Sequence, residues 1–470
     1  MSDIIDALAN GFIDGRVDLV YGFPGFKSEA VLEKISPDFK ISTNERVAYG
    51  EAYGASIGGK RSLVGFKNIG LNIASDAYAH SIIAGVNAGM VVLVTDDVEV
   101  WGSQESQDTR GLVDYYQGFL YEPDSLQAAY DFARYSFELS EKLDIPIVMR
   151  ITNQALAFTG KYTRADRIDN LHKDPALNNP LKYVVHPYYF RQQSLRLESK
   201  RKLFQDTANS MHTITSIDKH FSGQCAVTSF GFCNDTISHV AACCKLKINT
   251  TPVPDSTLSG HLKNHSQNYI IESGNPYLYN KARSVDKCEN LVPLNPISAI
   301  AGTVEFKKWS RYESLFTIIH ETKLRHGAIV IADIAQFTVE STDTVDIALS
   351  MGASLPIAIG TYQASKIPVI VVVGDCSFNH EGVQVLYEAV RRDITMHVFI
   401  IDNGVSWCTG CQKNASPIRD LAFPKTINYA RFRYSTNVLA NIENRIHKVM
   451  TSESGITLTH ITVPIGPVDR

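Results

Sequence analysis

The 470-residue chain lacks an excess of charge of either sign. Its 45 Lys and Arg stand against 49 Asp and Glu, a net charge of −4. No long basic run is present, so the electrostatic footprint of a nucleic-acid partner is missing. There is no uncharged apolar stretch of about 18 residues, so no membrane span is expected. The opening residues, MSDIIDALANGF, carry Asp3 and Asp6 and no basic n-region, so they do not read as a signal peptide. Cysteine is sparse: eight residues, scattered, which fits reduced thiols in a cytoplasm better than a disulfide framework. No short-period repeat stands out. What remains is an ordinary soluble composition, 44% hydrophobic and 20% charged, long enough for two or three domains with substantial cores.

Short apolar runs alternate with helix-length segments, the pattern of an α/β protein with doubly wound parallel sheets. VDLVYGFPG, SLVGFKN, MVVLVTDD and IPIVMRIT belong to a first unit, residues 1–165. Residues 166–220 are polar and rich in Lys, Arg, Asn and His, and read as a linker with some helix. QCAVTSFGF, INTTPVP and NYIIES suggest a smaller α/β middle unit over 221–304. GAIVIADIA, VIVVVGD and ITLTHITV place a third unit at 305–470.

The informative stretch is VIVVVGDCSFNHEGVQVLYEAVRRDITMHVFIIDNG, Val369 to Gly404. Two apolar runs each stop on a polar residue, Asp375 and Asn403, with a helix-length segment between. In an open parallel sheet, ligands sit beyond the carboxyl ends of the strands. If these strands are neighbours, the two side-chain oxygens converge. Hard oxygens suit Mg²⁺, which takes a few protein oxygens together with substrate phosphates. The plainer role is also open, since Asp and Asn often cap turns after strands. The 25 residues from Ser377 through Ile401 give a spacing similar to the thiamine diphosphate motif, Gly-Asp-Gly followed about two dozen residues later by Asn-Asn. Cys376 and Asp402 depart from it.

A second segment, STNERVAYGEAYGASIGG from Ser42 to Gly59, offers Glu45 before a small-residue helix. Thiamine enzymes need a carboxylate beside the aminopyrimidine ring, in a pocket dry enough to raise its pKa. Ser42-Thr43-Asn44-Glu45 is equally a good capping box. Glu51, on the same helix, is the alternative carboxylate.

The ordered set YGFPG, STNERVAYGEAYGAS, FKNIGLN, SQESQDTR, MRITNQ, YIIESGNPYLYNKAR, DIAQF, VDIALSMGASLPIAIG, GDCSFNHEG and IIDNGVSWCTGCQ resembles the large subunit of indolepyruvate ferredoxin oxidoreductase over most of the chain. The resemblance implies a pyrimidine-binding domain, a middle domain and a diphosphate-binding domain, with thiamine diphosphate and Mg²⁺ as cofactors. It implies Glu45 as the activating acid and Asp375, Asn403 and the Val405 carbonyl as metal ligands. It places Met351, Gly352, Ala353 and Ser354 at a helix opening toward the diphosphate, where free N–H groups favour anions. Asp333, Ile334, Gly374, Cys376 and Ser377 line the same cleft, and Pro24 and Gly25 turn near the pyrimidine. His380 handles protons near the thiazolium; Asn68, Gln104, Gln107, Asp108 and Cys408 shape the substrate pocket. It also implies a homodimer, in which the pyrimidine domain of one chain faces the diphosphate domain of another.

The departures bear on activity. The family's ferredoxin-like cysteine runs, which hold iron–sulfur clusters, are not found; GTVEFKKWSRYES stands where a cysteine-rich segment is usual, and Asn68 replaces a histidine. Cys408 and Cys411 form a single C-x-x-C, short of the four ligands a closed zinc site or cluster needs. The expectation is therefore a non-oxidative enzyme. Carbon dioxide leaves a 2-keto acid, with an aromatic pyruvate such as indolepyruvate first by resemblance. The former carbonyl carbon is then protonated to an aldehyde or joined to a carbonyl acceptor. The alternative is a cofactor-carrying oxidoreductase subunit that relies on a separate iron–sulfur protein.

Overall fold

The computed structural model describes residues 2–98 (without 24, 26 and 40), 107–211 (without 170–172, 177 and 178), 225–231, 244–263 (without 254), 267–271, 277, 281, 312–335, 338, 343–406, 412–413, 418, 421–451 and 455–463. Two six-stranded sheets and one three-stranded sheet carry it.

The first sheet takes β1 (Leu19–Gly22), β2 (Ser62–Lys67), β3 (Met90–Asp96), β4 (Phe119–Tyr121) and β5 (Ile147–Thr152). These are mutually parallel. β3 and β5 are buried at every residue, as strands covered on both faces should be. The middle sheet is β6 (Cys225–Phe230), flanked in parallel by β7 (Cys244–Ile248) and β9 (Gln267–Ile271). Between them, β8 (Thr250–Thr251) leaves the middle sheet and pairs antiparallel with β4 of the first. INTTPVP is thus shared between two sheets, which its composition did not separate. The full order of the first sheet is β8-β4-β5-β3-β2-β1.

The third sheet holds β10 (Ile329–Ala332), β11 (Ile347–Ala348), β12 (Val369–Gly374), β13 (Met396–Asp402), β14 (Ile427–Arg433) and β15 (Ile456–Thr462), all parallel, in the order β11-β10-β12-β13-β15-β14. The chain goes to one side of β10 for β11 and to the other for β12. That reversal opens the crevice at which α/β sheets bind ligands. The polar segment read as a linker runs back over the first unit: Ile168 donates to the Asp14 carbonyl and Ala176 to the Ile57 carbonyl. It then becomes a 25-residue helix, Pro187–Met211.

The first and third units meet along two helices, α1 (Glu45–Ile57) and α2 (Ser354–Ser365). Glycines allow the approach. A Cβ on Gly50 would sit 2.7 Å from Pro356 Cβ, and one on Gly54 or Gly360 would collide with the Ile357 or Glu51 carbonyl oxygen. Thr361 Oγ1 donates to the Gly54 carbonyl at 3.1 Å, closing the seam. Among the described residues no helix is long and apolar enough to cross a membrane.

Candidate active site

Asp375 and Asn403 come together. Their strands, β12 and β13, are parallel neighbours with Gly374 opposite Ile401, so both residues leave the sheet at the same edge. The turn after β13 is already tied to Asp375: the Gly404 N–H donates to Asp375 Oδ2 at 2.8 Å. The Val405 N–H donates to Asn403 Oδ1 at 3.0 Å. Gly404 has φ +71°, a left-handed conformation that glycine adopts without steric cost. A Cβ on Gly374 or Gly404 would meet no described residue within 4 Å.

Asp333 follows β10 across the same crevice and is fully buried. Its carboxylate accepts from Gly352 N at 3.0 Å and Ser354 N at 2.8 Å. Burial pushes its pKa up, opposed by these bonds and by the Ser354 and Ser377 side chains. This corrects one expectation. α2 begins at Ser354, not at Met351, and two of the N–H groups expected to be free for an anion are held by Asp333. The Ala353 N–H donates to the Ser350 carbonyl at 3.2 Å. Met351 and Ile334 are partly exposed. A helical turn, Asp375–Ser377, starts directly after Gly374 with no side-chain cap, and Cys376 and Ser377 lie on it.

That turn continues through a π-helical segment, Phe378–Gly382, into the helix Val383–Arg391. Such widened turns are frequent at functional sites. Here the π segment carries His380 and Glu381. A Cβ on Gly352 would lie 3.4 Å from His380 Nδ1, so the histidine faces the start of α2.

Glu45 is the first residue of α1, and Asn44 caps the helix through Val47 N at 2.8 Å. The cap therefore belongs to Asn44, which leaves Glu45 available for another role. A Cβ on Gly70 would come within 2.6 Å of Glu45 Cγ, so the side chain lies against the segment after β2. Burial raises its pKa. Asn68, in that segment, donates from Nδ2 to the Gln107 carbonyl at 2.9 Å, so two expected pocket residues do meet. Asp108 is instead drawn into an ion pair with Arg110 at 2.6 Å. The Gly25 carbonyl accepts from Thr95 Oγ1 at 3.1 Å. Pro24, Gln104, Cys408 and Cys411 lie outside the described residues.

Two groups escaped the sequence reading. Arg46 bridges the halves: it donates to the Met351 carbonyl, and its Nε lies 3.0 Å from Glu381 Oε2. Glu381 also accepts from Asn44 Nδ2 at 3.2 Å. A charge beside Glu45 was the available signal, but its partner lies in another domain. Further along, Arg392 pairs with Glu51 at 3.0 Å and with Glu388 at 2.5 Å. Burial pushes Glu51 up to about 7 against the pull of Arg392 and Ser42. Glu51 thus belongs to the seam between domains.

All these contacts between the Glu45 segment and the third unit are made within one chain. Within a single chain the Glu45 segment is thus joined to the unit that carries Asp375 and Asn403.

Residues 332–444 match the thiamine pyrophosphate enzyme, C-terminal TPP binding domain. The chain resembles the thiamine pyrophosphate enzymes. It is 26% identical over 486 residues to the indolepyruvate oxidoreductase subunit IorA of Pyrococcus abyssi, spanning 87% of this chain and 75% of that protein. The IorA subunit of Archaeoglobus fulgidus is 24% identical over 477 residues, with the same shares covered. Among solved structures, a Mycobacterium smegmatis protein assigned as thiamin diphosphate-dependent superposes with a TM-score of 0.57 at 13% identity, covering 99% of this chain and 100% of that one. Benzoylformate decarboxylase from Polynucleobacter necessarius gives 0.52 at 12% identity, covering 99% of each. These two likenesses establish the multi-domain α/β fold.

The residues present fit the cofactor. Asp375, Asn403 and the Val405 carbonyl are hard oxygen donors of the kind Mg²⁺ takes.

Proposed function

We propose that this chain is the cofactor-carrying subunit of a 2-keto acid oxidoreductase of the indolepyruvate type, working with a separate iron–sulfur protein. The observation that carries the proposal is its similarity to IorA subunits along 87% of its length, together with a crevice that unites Asp375, Asn403 and Asp333 at the strand reversal of the third sheet. Bound thiamine diphosphate supplies a carbon nucleophile for the keto carbon, so that carbon dioxide can leave.

The chain's own residues do the rest. Asp375, Asn403 and the Val405 carbonyl would hold Mg²⁺, which would offset the charge of the cofactor's phosphates. Glu45, with its pKa raised by burial, would exchange a proton with the cofactor's aminopyrimidine. His380 faces the start of α2 and serves as a proton donor or acceptor. Asn68 and Gln107 border the substrate. An aromatic pyruvate is the first substrate to test. The two electrons left after decarboxylation would pass to the iron–sulfur partner and the acyl group to the thiol of coenzyme A.

A second reading keeps the same site and ends in protonation or carboligation, giving an aldehyde or an acyloin. It is favoured by the sequence GTVEFKKWSRYES, which carries no cysteine where the family has a cysteine-rich segment. One experiment separates the two. Purified protein with thiamine diphosphate and Mg²⁺ is given a panel of 2-keto acids, with and without an aldehyde and with and without a low-potential electron acceptor plus coenzyme A. Carbon dioxide release that requires the electron acceptor supports the oxidoreductase reading. Aldehyde or acyloin formed without it supports the second. No cofactor binding, or binding unchanged in Asp375→Ala, overturns both.

A further inference from the structure

A polar row crosses an otherwise apolar face of the third sheet. Along β13 the side chains alternate: Val398 and Ile400 enter one core cluster, Phe399 and Ile401 the other. Asp402 falls on the face of Ile400. On β15, His460 falls on the face of Leu458, in the same cluster. His460 is fully buried, and its Nε2 lies 2.8 Å from Asp402 Oδ2. Its Nδ1 is 2.9 Å from the hydroxyl of Tyr429, on the edge strand β14. A carboxylate accepts at this contact, so Nε2 carries a hydrogen. Three neighbouring strands thus contribute one residue each, in a line from the partly exposed Tyr429 to the last residue before Asn403.

Such a line is costly in a core unless each member is hydrogen-bonded. Here each is, and the inner end sits at the strand terminus that bears the expected metal ligand. The backbone of Asp402 is fixed as well: its carbonyl accepts from Val463 N at 2.8 Å. Aromatic packing frames the outer end, with Phe423 4.9 Å from Tyr429 and 6.4 Å from Phe378 between ring centroids. Phe378 is three residues beyond Asp375, so the same frame touches both sides of the crevice.

We propose that His460 is a positioning residue for the cation. By holding the Asp402 carboxylate it fixes the end of β13, and with it the Asn403–Val405 turn that Asp375 already grips through Gly404. It acts as the outer-shell partners of metal ligands do, through orientation and not through contact with the metal. This inference rests on the cofactor reading given above.

The test is Mg²⁺ affinity in the presence of thiamine diphosphate, by calorimetry, with Mn²⁺ binding followed by electron paramagnetic resonance as a readout free of turnover. His460→Leu is expected to weaken the cation by about 10- to 100-fold, the usual loss for an outer-shell partner. His460→Gln places its amide nitrogen near the Nε2 position and is expected to restore most of the affinity. Activity should fall through a raised Mg²⁺ requirement, with kcat at saturating Mg²⁺ retained. Should the leucine variant fail to fold, His460→Asn carries the test: its amide reaches the Nδ1 position but stops short of Asp402, so the same loss is expected. Wild-type affinity in the leucine or asparagine variant overturns the inference, as does a glutamine variant no better than leucine. If the unaltered protein itself binds neither Mg²⁺ nor thiamine diphosphate, the functional reading fails and not merely the role of His460.

Discussion

At the scale of residues, part of the candidate site was legible because one-dimensional spacing maps directly onto strand ends. Asp375 and Asn403 were found this way: a run of β-branched residues ends on each, and parallel pairing then sets them side by side. Glu45 was legible as a carboxylate at a helix start, and the structure removes its competing role, since Asn44 supplies the cap. Arg46–Glu381 and Arg392–Glu51 were not legible. Their partners are more than 300 residues apart in sequence, and nothing local marks either as half of a pair. The Asp333 cap was hidden for a related reason: whether a helix end is open depends on what the adjacent strand places over it. If Glu45 is the pyrimidine acid, Glu45→Gln keeps the shape and one acceptor oxygen but cannot trade a proton. Cofactor affinity is expected to remain near wild type while turnover falls by about 10²–10⁴, the usual worth of a general acid–base group. Hydrogen exchange at the thiazolium carbon should slow in step. Exchange at the wild-type rate would remove Glu45 from the mechanism.

At the scale of elements, long apolar strands were the readable part and short ones were not. β3, β5, β12 and β13 are rich in Val, Ile, Leu and Met and buried almost throughout, as doubly covered strands are. β4, at Phe119–Tyr121, is three residues long, and β14 reads INYARFR with most of its side chains outward. Neither has the length or the period to stand out. The seam between α1 and α2 was written as Gly50, Gly54 and Gly360, but glycine inside a helix announces only a small side chain, not the surface it meets. The seam predicts its own test. Gly54→Val puts a branched side chain where Cβ already collides with the Ile357 carbonyl oxygen. Overpacking of this kind costs about 1–3 kcal/mol, and the strain falls between the domains, not within either. The expected result is a lowered thermal midpoint together with weakened thiamine diphosphate binding, because Glu45 sits at the head of the displaced helix. Gly260→Val, at a glycine whose Cβ meets no described residue, is the control and should leave cofactor affinity unchanged. Equal cofactor affinity in the Gly54 variant would mean that the seam does not position the acid.

At the scale of the whole molecule, the question is how many chains make one site. The family resemblance implied two, each supplying half. Within one chain, the Glu45 segment contacts the third unit through Arg46 to Met351 and Glu381, through Thr43 to Glu388 at 2.7 Å, and through Glu51 to Arg392. Buried pairs of this kind lose several kcal/mol when one partner is removed, so the two halves are not expected to drift apart when subunits separate. If one chain completes a site in this way, a homodimer is not needed to bind the cofactor. The prediction is a stoichiometry of one thiamine diphosphate per chain, with an affinity that does not change as protein is diluted from micromolar to nanomolar. Mass photometry on the same samples reports whether the oligomer has dissociated over that range. Constant affinity across dissociation supports a site built by one chain. Affinity that falls as dimers separate would mean that the acid in each working site comes from the partner, and that the seam between α1 and α2 is made between chains in the active assembly.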